Sequence, residues 1–164
     1  MNHPRVIRKL VVVLGDQLNH HALALDDFDD AVDVIWMAEV HTENLHVPSH
    51  KARSALFLSA MRHFCAEQQG IGRHVIYNPL EEKHQSLASA IEKTITHHRI
   101  QTVVLTKPGD FRVERSLTNI LNEHNQNYEI LRDNHFICDP DDFESFGANG
   151  KNQRMEFFYR RLRK

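Results

Sequence analysis

The sequence predicts an α/β fold, a Rossmann-like doubly wound parallel sheet of five strands with helices on both faces. Short continuous apolar runs, such as LVVVL at residues 10–14, are typical of strands that are buried on both faces of a parallel sheet. These runs alternate with longer segments whose apolar residues recur at helical spacing, which predicts right-handed βαβ units. The 164 residues are enough for one domain with its own core.

The first half of the chain is expected to contain two strands and one long helix. The strands are expected at residues 6–14 and 33–40, and the helix is expected to run to Gly70. Ser49 is a suitable N-cap for this helix, and glycine favours a helix end. Its buried stripe is expected to consist of four apolar residues spaced four apart, Ala52, Leu56, Ala60 and Phe64.

Strand and helix patterns continue to alternate in the second half. Strands are expected at residues 73–77, 101–106 and 128–131, and helices at residues 86–98 and 113–124. The pattern lapses from residue 136, through Asp139-Pro140-Asp141-Asp142 and residues 147–150. It resumes with helix-compatible spacing over residues 151–164. We therefore divide the chain into an α/β domain, 1–135, and a connector with the start of a helical segment, 136–164.

Composition excludes several classes of protein. The chain has 41% hydrophobic and 26% charged residues, and no apolar run approaches the roughly 20 residues of a membrane span. The N-terminal residues lack the pattern of a secretory signal, so a cytoplasmic location is expected. A formal net charge of -2 offers no reason to bind nucleic acid, although the last dozen residues are basic. Cys65 and Cys138 are too few to supply four thiolates to an iron–sulfur cluster.

A ligand site is expected at the carboxyl ends of the strands, where the strand order reverses. Strand one ends in Gly15-Asp16-Gln17, and strand four ends in Lys107-Pro108-Gly109-Asp110. Glu39 follows strand two, with Glu43 close behind it. Carboxylates and an amide around one cleft suit a flat heterocycle with N–H donors better than a phosphate. Glycine and aspartate after a strand are also ordinary turn residues, so the convergence of these segments carries the prediction.

The sequence gives weaker support to other functions. Neither GxGxxG nor GxxxxGK[ST] is present, which disfavours dinucleotide binding and a P-loop. A small enzyme or nucleotide-binding protein that uses Asp16 and Asp110 as an acid/base pair is the main alternative. A receiver domain would need an aspartate after strand three, where the chain has Asn78-Pro79. The histidines His41, His46 and His50 are spaced closely enough to consider as metal ligands. No cysteine accompanies them, and His46 lies before the predicted helix and need not share a face with His50, so a metal site is not expected.

Four stretches, in order along nearly the whole chain, resemble one family. They are the GDQL motif followed by MAEV, the segment FLSAMRHF, and RMEFFYR near the end, at residues 15–18, 37–40, 57–64 and 154–160. Together they are similar to the start of the bacterial photolyase-related proteins, which include the iron–sulfur bacterial cryptochromes and the prokaryotic (6-4) photolyases. The resemblance implies that residues 1–135 form the antenna-type α/β domain of such a flavoprotein.

The resemblance also implies a ligand and partners. The expected chromophore is 6,7-dimethyl-8-ribityllumazine, which would pass excitation to a flavin. FAD, a [4Fe-4S] cluster and the DNA-binding surface would belong to a helical C-terminal flavin domain outside these residues, so that this chain alone is not expected to be catalytic. A homodimer is expected only through the face that this domain would cover. By position, the residues expected around the chromophore are Gly15, Asp16, Gln17, Met37, Glu39, Glu43, Pro108 and Asp110.

Overall fold

The computed structural model describes residues 6–41, 50–148 and 154–163, and it confirms the predicted fold. Five parallel strands form one sheet in the order β3-β2-β1-β4-β5. They are β1 (Val6–Val12), β2 (Val34–Ala38), β3 (Val75–Asn78), β4 (Arg99–Thr106) and β5 (Tyr128–Leu131). The chain runs outward from β1 to β3 and then crosses back to β4. The strand order therefore reverses between β1 and β4.

Five α-helices lie within the described residues. They are α1 (Lys51–Gly70), α2 (Leu87–His97), α3 (Phe111–Glu123), α4 (Pro140–Gly147) and α5 (Met155–Leu162). A single 3-10 turn, Leu23–Leu25, lies between β1 and β2. This turn and α1 cover one face of the sheet, and α2 and α3 cover the other. The reversal of strand order explains this arrangement, because right-handed crossovers place the helices of the two halves on opposite faces.

The two faces of the sheet carry separate apolar clusters. Alternate residues of β1 divide between them: Leu10 and Val12 pack with α2 and α3, and Val11 packs with α1. Trp36 lies in the first cluster, where its indole N–H donates to Thr94 Oγ1 at 2.9 Å. The central strands are therefore buried on both faces, which is why their sequences read as continuous apolar runs.

Three of the helices begin at residues whose side chains cap the helix N-terminus. Ser86 caps α2 in a reciprocal capping box with Ser89, and the Asp110 carboxylate accepts from the Arg112 N–H at 2.8 Å to cap α3. For α1 the N-cap is His50, whose Nδ1 accepts from Ala52 N at 3.2 Å. The expected cap of α1, Ser49, lies outside the described residues.

The predicted buried stripe of α1 is wrong at three of its four positions. Ala52, Leu56 and Ala60 are exposed, and only Phe64 is buried. The face that packs on the sheet consists of residues spaced three or four apart, Met61, Phe64, Cys65 and Gln68. Residues spaced strictly four apart advance by about 40° per step around a helix of 3.6 residues per turn, so a four-residue stripe of this kind cannot stay on one face.

The predicted lapse of regular structure after residue 136 is also wrong in part. The segment at Asp139 begins helix α4, with proline at the first position and Asp142 completing a capping box. An aspartate followed by proline is itself a helix-start signal. Phe143 and Phe146 of α4 pack against Phe158 of α5, with ring centroids 5.2 Å apart in both pairs. In residues 6–41, 50–148 and 154–163, no helix is long and apolar enough to span a bilayer.

Candidate functional site

A cleft of about 300 Å³ lies at the carboxyl ends of the strands, where the strand order reverses. Two loops border it: the first lip, residues 14–17 after β1, and the second lip, residues 107–110 after β4. Helices α1, α2 and α3 complete the walls. Side chains that line the cleft and belong to these helices are Arg53, Ser54, Phe57, Leu58, Met61, Leu87, Arg112 and Val113. Open parallel sheets commonly bind ligands at this position.

The first lip is in close contact with α1 at Gly15. A β-carbon at this residue would lie 2.4 Å from Phe57 Cε1 and 2.8 Å from Met61 Sδ. Only glycine allows the loop and the helix to approach so closely without displacing the ring. Gly15 and Asp16 both line the cleft, and Asp16 is exposed to solvent. The lack of a side chain at Gly15 therefore sets the position of Phe57 in the wall.

Gln17 connects the two lips. Its Nε2 donates to the Lys107 carbonyl at 2.9 Å and to the Thr106 carbonyl at 3.4 Å. Gln17 is only 8% exposed, and its Oε1 atom is buried without a hydrogen-bond partner among the described residues. The side chain thus holds the end of β1 to the end of β4 across the point of strand reversal.

Glu39 lies at the end of β2, where it is 2% exposed. Its Oε1 accepts from Arg62 Nε at 2.7 Å and from the Tyr77 hydroxyl at 2.5 Å, and its Oε2 accepts from Arg62 Nη2 at 2.8 Å and Leu80 N at 2.9 Å. A buried carboxylate is stable when it is paired and hydrogen-bonded in this way. Glu39 therefore joins β2, β3 and α1 beneath the cleft.

These contacts determine the ionisation of the group. Burial alone would raise the pKa of Glu39, but the hydrogen bonds from Arg62, Tyr77 and Leu80 outweigh it, so the pKa is lowered. Burial and the bond to Glu39 raise the pKa of Tyr77 in turn. The site holds a carboxylate and a neutral phenol at neutral pH, and Glu39 carries a fixed negative charge.

The second lip contributes a buried proline and a charged pair. Pro108 is buried and lines the cleft, and Asp110 is half-buried. Besides capping α3, the Asp110 carboxylate forms an ion pair with the Arg112 guanidinium. With its carboxylate engaged in this way, Asp110 is poorly placed to act as one half of an acid/base pair with Asp16.

The structure brings most of the expected ligand-contacting residues to one place. Gly15, Asp16, Glu39, Pro108 and Asp110 all line the cleft. Gln17 lines an adjoining hollow instead. Met37 is fully buried among the core residues beneath α1 and lines neither space, because its position in β2 directs it into the sheet interface. Glu43 lies outside the described residues.

Sequence reasoning missed the side chains that α1 and α3 add to the cleft. Phe57 and Arg53 come from α1, and Arg112 and Val113 come from the first turn of α3. The aromatic ring and the two guanidinium groups change the chemistry of a site that was expected to be carboxylate-lined. The signal was present, because a helix that follows a strand in a βαβ unit starts beside the carboxyl end of the sheet. Among the described residues no three potential metal ligands cluster together.

Comparison with known proteins agrees with this architecture. The family model described as deoxyribodipyrimidine photo-lyase-related protein matches residues 11–164. This chain belongs to that family. The resemblance drawn from the four sequence motifs is therefore confirmed.

One curated relative is a protein described as a (6-4) photolyase from Agrobacterium fabrum. It is 32% identical to this chain over 158 residues, which cover 95% of the chain and 31% of the relative. The chain thus spans about a third of the length of the curated relative that it matches.

Proposed function

We propose that this chain is the antenna-chromophore-binding domain of a photolyase-related flavoprotein that serves light-dependent DNA repair or blue-light sensing. The proposed ligand is 6,7-dimethyl-8-ribityllumazine, held in the cleft between the two lips. The observation that carries the proposal is the cleft itself, with apolar walls, an aromatic ring and a polar rim at the point of strand reversal.

The walls of the cleft suit a flat heterocycle. Phe57 contributes an aromatic ring to the lining, and Leu58, Met61 and Val113 contribute apolar surface. At the rim, Asp16 can accept from ring N–H groups, while Arg53 can donate to ring carbonyls. A lumazine presents both donors and acceptors at its edge, so it matches a rim that carries both.

The remaining chemistry of the proposed flavoprotein would take place in another part of it. A [4Fe-4S] cluster is assigned to a helical flavin domain of the same protein, since this chain has only two cysteines. FAD is assigned to that domain by the family resemblance. That domain is the proposed partner, DNA would be contacted only through it, and the cytoplasm is the proposed location. In this scheme the antenna domain absorbs light and passes excitation to the flavin, without catalysis of its own.

The first experiment is a fluorescence titration of the purified chain with 6,7-dimethyl-8-ribityllumazine, with FAD and ATP as controls. We expect saturable binding that is selective for the lumazine. No saturable lumazine binding would contradict the proposal. Binding of ATP in preference would also contradict it and would favour a stand-alone nucleotide-binding protein.

A matched pair of variants tests whether the ligand binds in the cleft. Phe57→Ala removes the ring from the wall, and we expect it to weaken lumazine binding about tenfold through lost stacking and apolar contact. Leu56→Ala is the control, because Leu56 is the neighbouring residue, is 73% exposed and does not line the cleft. Equal affinities for the two variants would place the ligand elsewhere.

A further inference from the structure

A chain of polar side chains joins the segment after the first lip to the end of α1. Arg73 Nη1 donates to Gln68 Oε1 at 2.8 Å, and Gln68 Nε2 lies 2.8 Å from His20 Nδ1. On the other side of the imidazole, His20 Nε2 lies 3.1 Å from the Glu67 carboxylate. Gln68 belongs to α1 and is fully buried, whereas the His20 side chain is half exposed. The link between His20 and α1 therefore depends on a buried amide.

Arg73 fixes the direction of each bond in this chain. A guanidinium can only donate, so the amide oxygen of Gln68 faces Arg73 and the amide NH2 group faces His20. His20 Nδ1 must therefore accept, which leaves the proton of the neutral ring on Nε2. Two further contacts hold Arg73 in place, since its guanidinium lies 4.8 Å from the centre of the Phe28 ring and 3.6 Å from the Asp30 carboxylate.

A charged imidazole is incompatible with this chain. Imidazole changes charge between about pH 5 and 8, and its charged form carries a proton on both nitrogens. Two donors would then meet between His20 and Gln68. A flip of the ring presents another N–H group, and a flip of the amide turns its NH2 group towards Arg73. Glu67 attracts the charged ring and Arg73 repels it, but neither supplies an acceptor to Gln68. The buried amide would lose its acceptor, which is costly.

His20 lies in a short segment, residues 18–22, that directly follows the first lip. On one side this segment is held by Asn134, whose Nδ2 donates to the His21 carbonyl at 2.7 Å. On the other side the His20 ring packs against Phe64 of α1, with ring centroids 4.8 Å apart, and accepts from Gln68. The bond from Gln68 is thus a buried attachment between α1 and the segment that continues the first lip.

We propose that His20 is a pH-sensitive latch that ties residues 18–22 to α1 while its imidazole is neutral. When the imidazole is charged, the bond from Gln68 opens and the segment is released from the helix. The first lip, which precedes the segment, then loses one of its supports. This inference goes beyond the proposed function, because the latch consists of protein groups alone and acts whether or not a ligand occupies the cleft.

The test follows the purified chain by NMR, without ligand, from about pH 8 to about pH 5.5. At the alkaline end, the ring nitrogens of His20 should show the tautomer with the proton on Nε2. As His20 titrates, we expect the side-chain amide resonances of Gln68 to shift with it. The Ala22 backbone N–H donates to the Asn19 carbonyl at 3.2 Å within the segment. Its hydrogen-exchange protection factor should fall about tenfold, the effect of losing one hydrogen bond to a buried group.

A pair of variants tests whether the charge of His20 causes this change. His20→Asn keeps an acceptor near the position of Nδ1 and cannot be charged, so the Ala22 protection factor should no longer depend on pH. His63→Asn is the matched control. His63 Nδ1 lies 2.7 Å from the Ser59 carbonyl oxygen, so this nitrogen donates whether the ring is neutral or charged. The control should keep the wild-type dependence on pH.

The outcomes decide the proposal without reference to ligand binding. A neutral His20 ring with its proton on Nδ1 would overturn the latch. So would a Gln68 amide and an Ala22 protection factor that stay constant while His20 titrates. Both observations come from the wild type, so they decide the matter even if His20→Asn does not fold. A folded His20→Asn that keeps the dependence on pH would also overturn it. Failure of the latch leaves the lumazine proposal standing, and failure of lumazine binding leaves the latch standing.

Discussion

The buried carboxylate of Glu39 allows a quantitative prediction of stability. In Glu39→Gln the Oε1 atom survives and keeps its contacts with Arg62 Nε and the Tyr77 hydroxyl. The second oxygen becomes an NH2 group, which faces the donors Arg62 Nη2 and Leu80 N at positions 2.8 and 2.9 Å from the original atom. Two accepted hydrogen bonds are lost, and donors oppose donors. Reversing the amide places the NH2 group against Arg62 Nε, which is again a donor, and the Tyr77 hydroxyl would have to accept instead of donate.

The loss of stability follows from the number of hydrogen bonds that are lost. At about 1–1.5 kcal/mol for each hydrogen bond, Glu39→Gln should lower the free energy of unfolding by about 2–3 kcal/mol. For a chain of this size that corresponds to a fall of about 5–10 °C in the midpoint of thermal unfolding. Because Glu39 has no unoccupied oxygen, we expect any loss of ligand affinity to come from displacement of α1 and Leu80, not from a missing ligand contact.

The assay is thermal unfolding followed by circular dichroism, with Glu81→Gln as the control. Glu81 also faces Arg62, at 3.8 Å, but it is exposed, and an exposed ion pair contributes little. We expect the control to unfold with the wild type. If Glu39→Gln unfolds at the wild-type temperature, or if the two variants fall equally, the four contacts of Glu39 do not hold β2, β3 and α1 together.

Three further predictions concern the cleft and the dependence on pH. Gly15→Ala should displace the Phe57 ring and weaken lumazine binding in the fluorescence titration, whereas Gly70→Ala, at the end of α1, meets nothing within 4 Å, does not line the cleft and should not. Asp110→Ala should cost about 1 kcal/mol in chemical denaturation through loss of the α3 cap, and Asp110→Asn should retain most of it. Burial raises the pKa of Asp33, but hydrogen bonds from Arg8, Asp29 and Lys9 outweigh this and lower it, as happens at Glu39. The stability that both groups contribute is therefore present above their unfolded-state pKa of about 4 and is lost as pH falls below it, so Asp33→Asn should flatten the acid limb of a pH series of unfolding midpoints. If the unfolding midpoint of that variant falls at acid pH as steeply as the wild-type midpoint, the lowered pKa of Asp33 does not contribute to the loss of stability.

The fold could be predicted because the sheet is parallel and buried on both faces. The fifth strand was predicted at residues 128–131, which are its bounds in the structure, and the other four strands differ only at their ends. Strand ends were less certain because apolar residues such as Val13 and Leu14 remain buried after the ladder stops. Burial and strand pairing end at different residues, and the sequence pattern reports burial.

The candidate site could be predicted only where it depends on strand ends. Glycine and carboxylate residues after β1, β2 and β4 pointed to the edge of the sheet at which the cleft lies. The contribution of α1 was missed although its position after a strand places its start beside this edge. The buried face of α1 was assigned largely to the wrong residues, and Phe57 was not recognised as a wall residue. The roles of Glu39 and Gln17 were also beyond sequence reasoning, since each depends on partners that lie 23 to 90 residues away in the chain.

At this edge of the sheet, the side chains that stabilise the fold differ from those that would contact the proposed ligand. Glu39 has every oxygen satisfied by the protein, so a ligand has nothing to gain from it and its charge serves to fix the floor of the cleft. Phe57 is 39% exposed although it is a large apolar residue that lines the cleft. A bound molecule that covers the ring would remove this apolar surface from water, which is favourable. The proposed lumazine, a flat heterocycle, would supply such a cover.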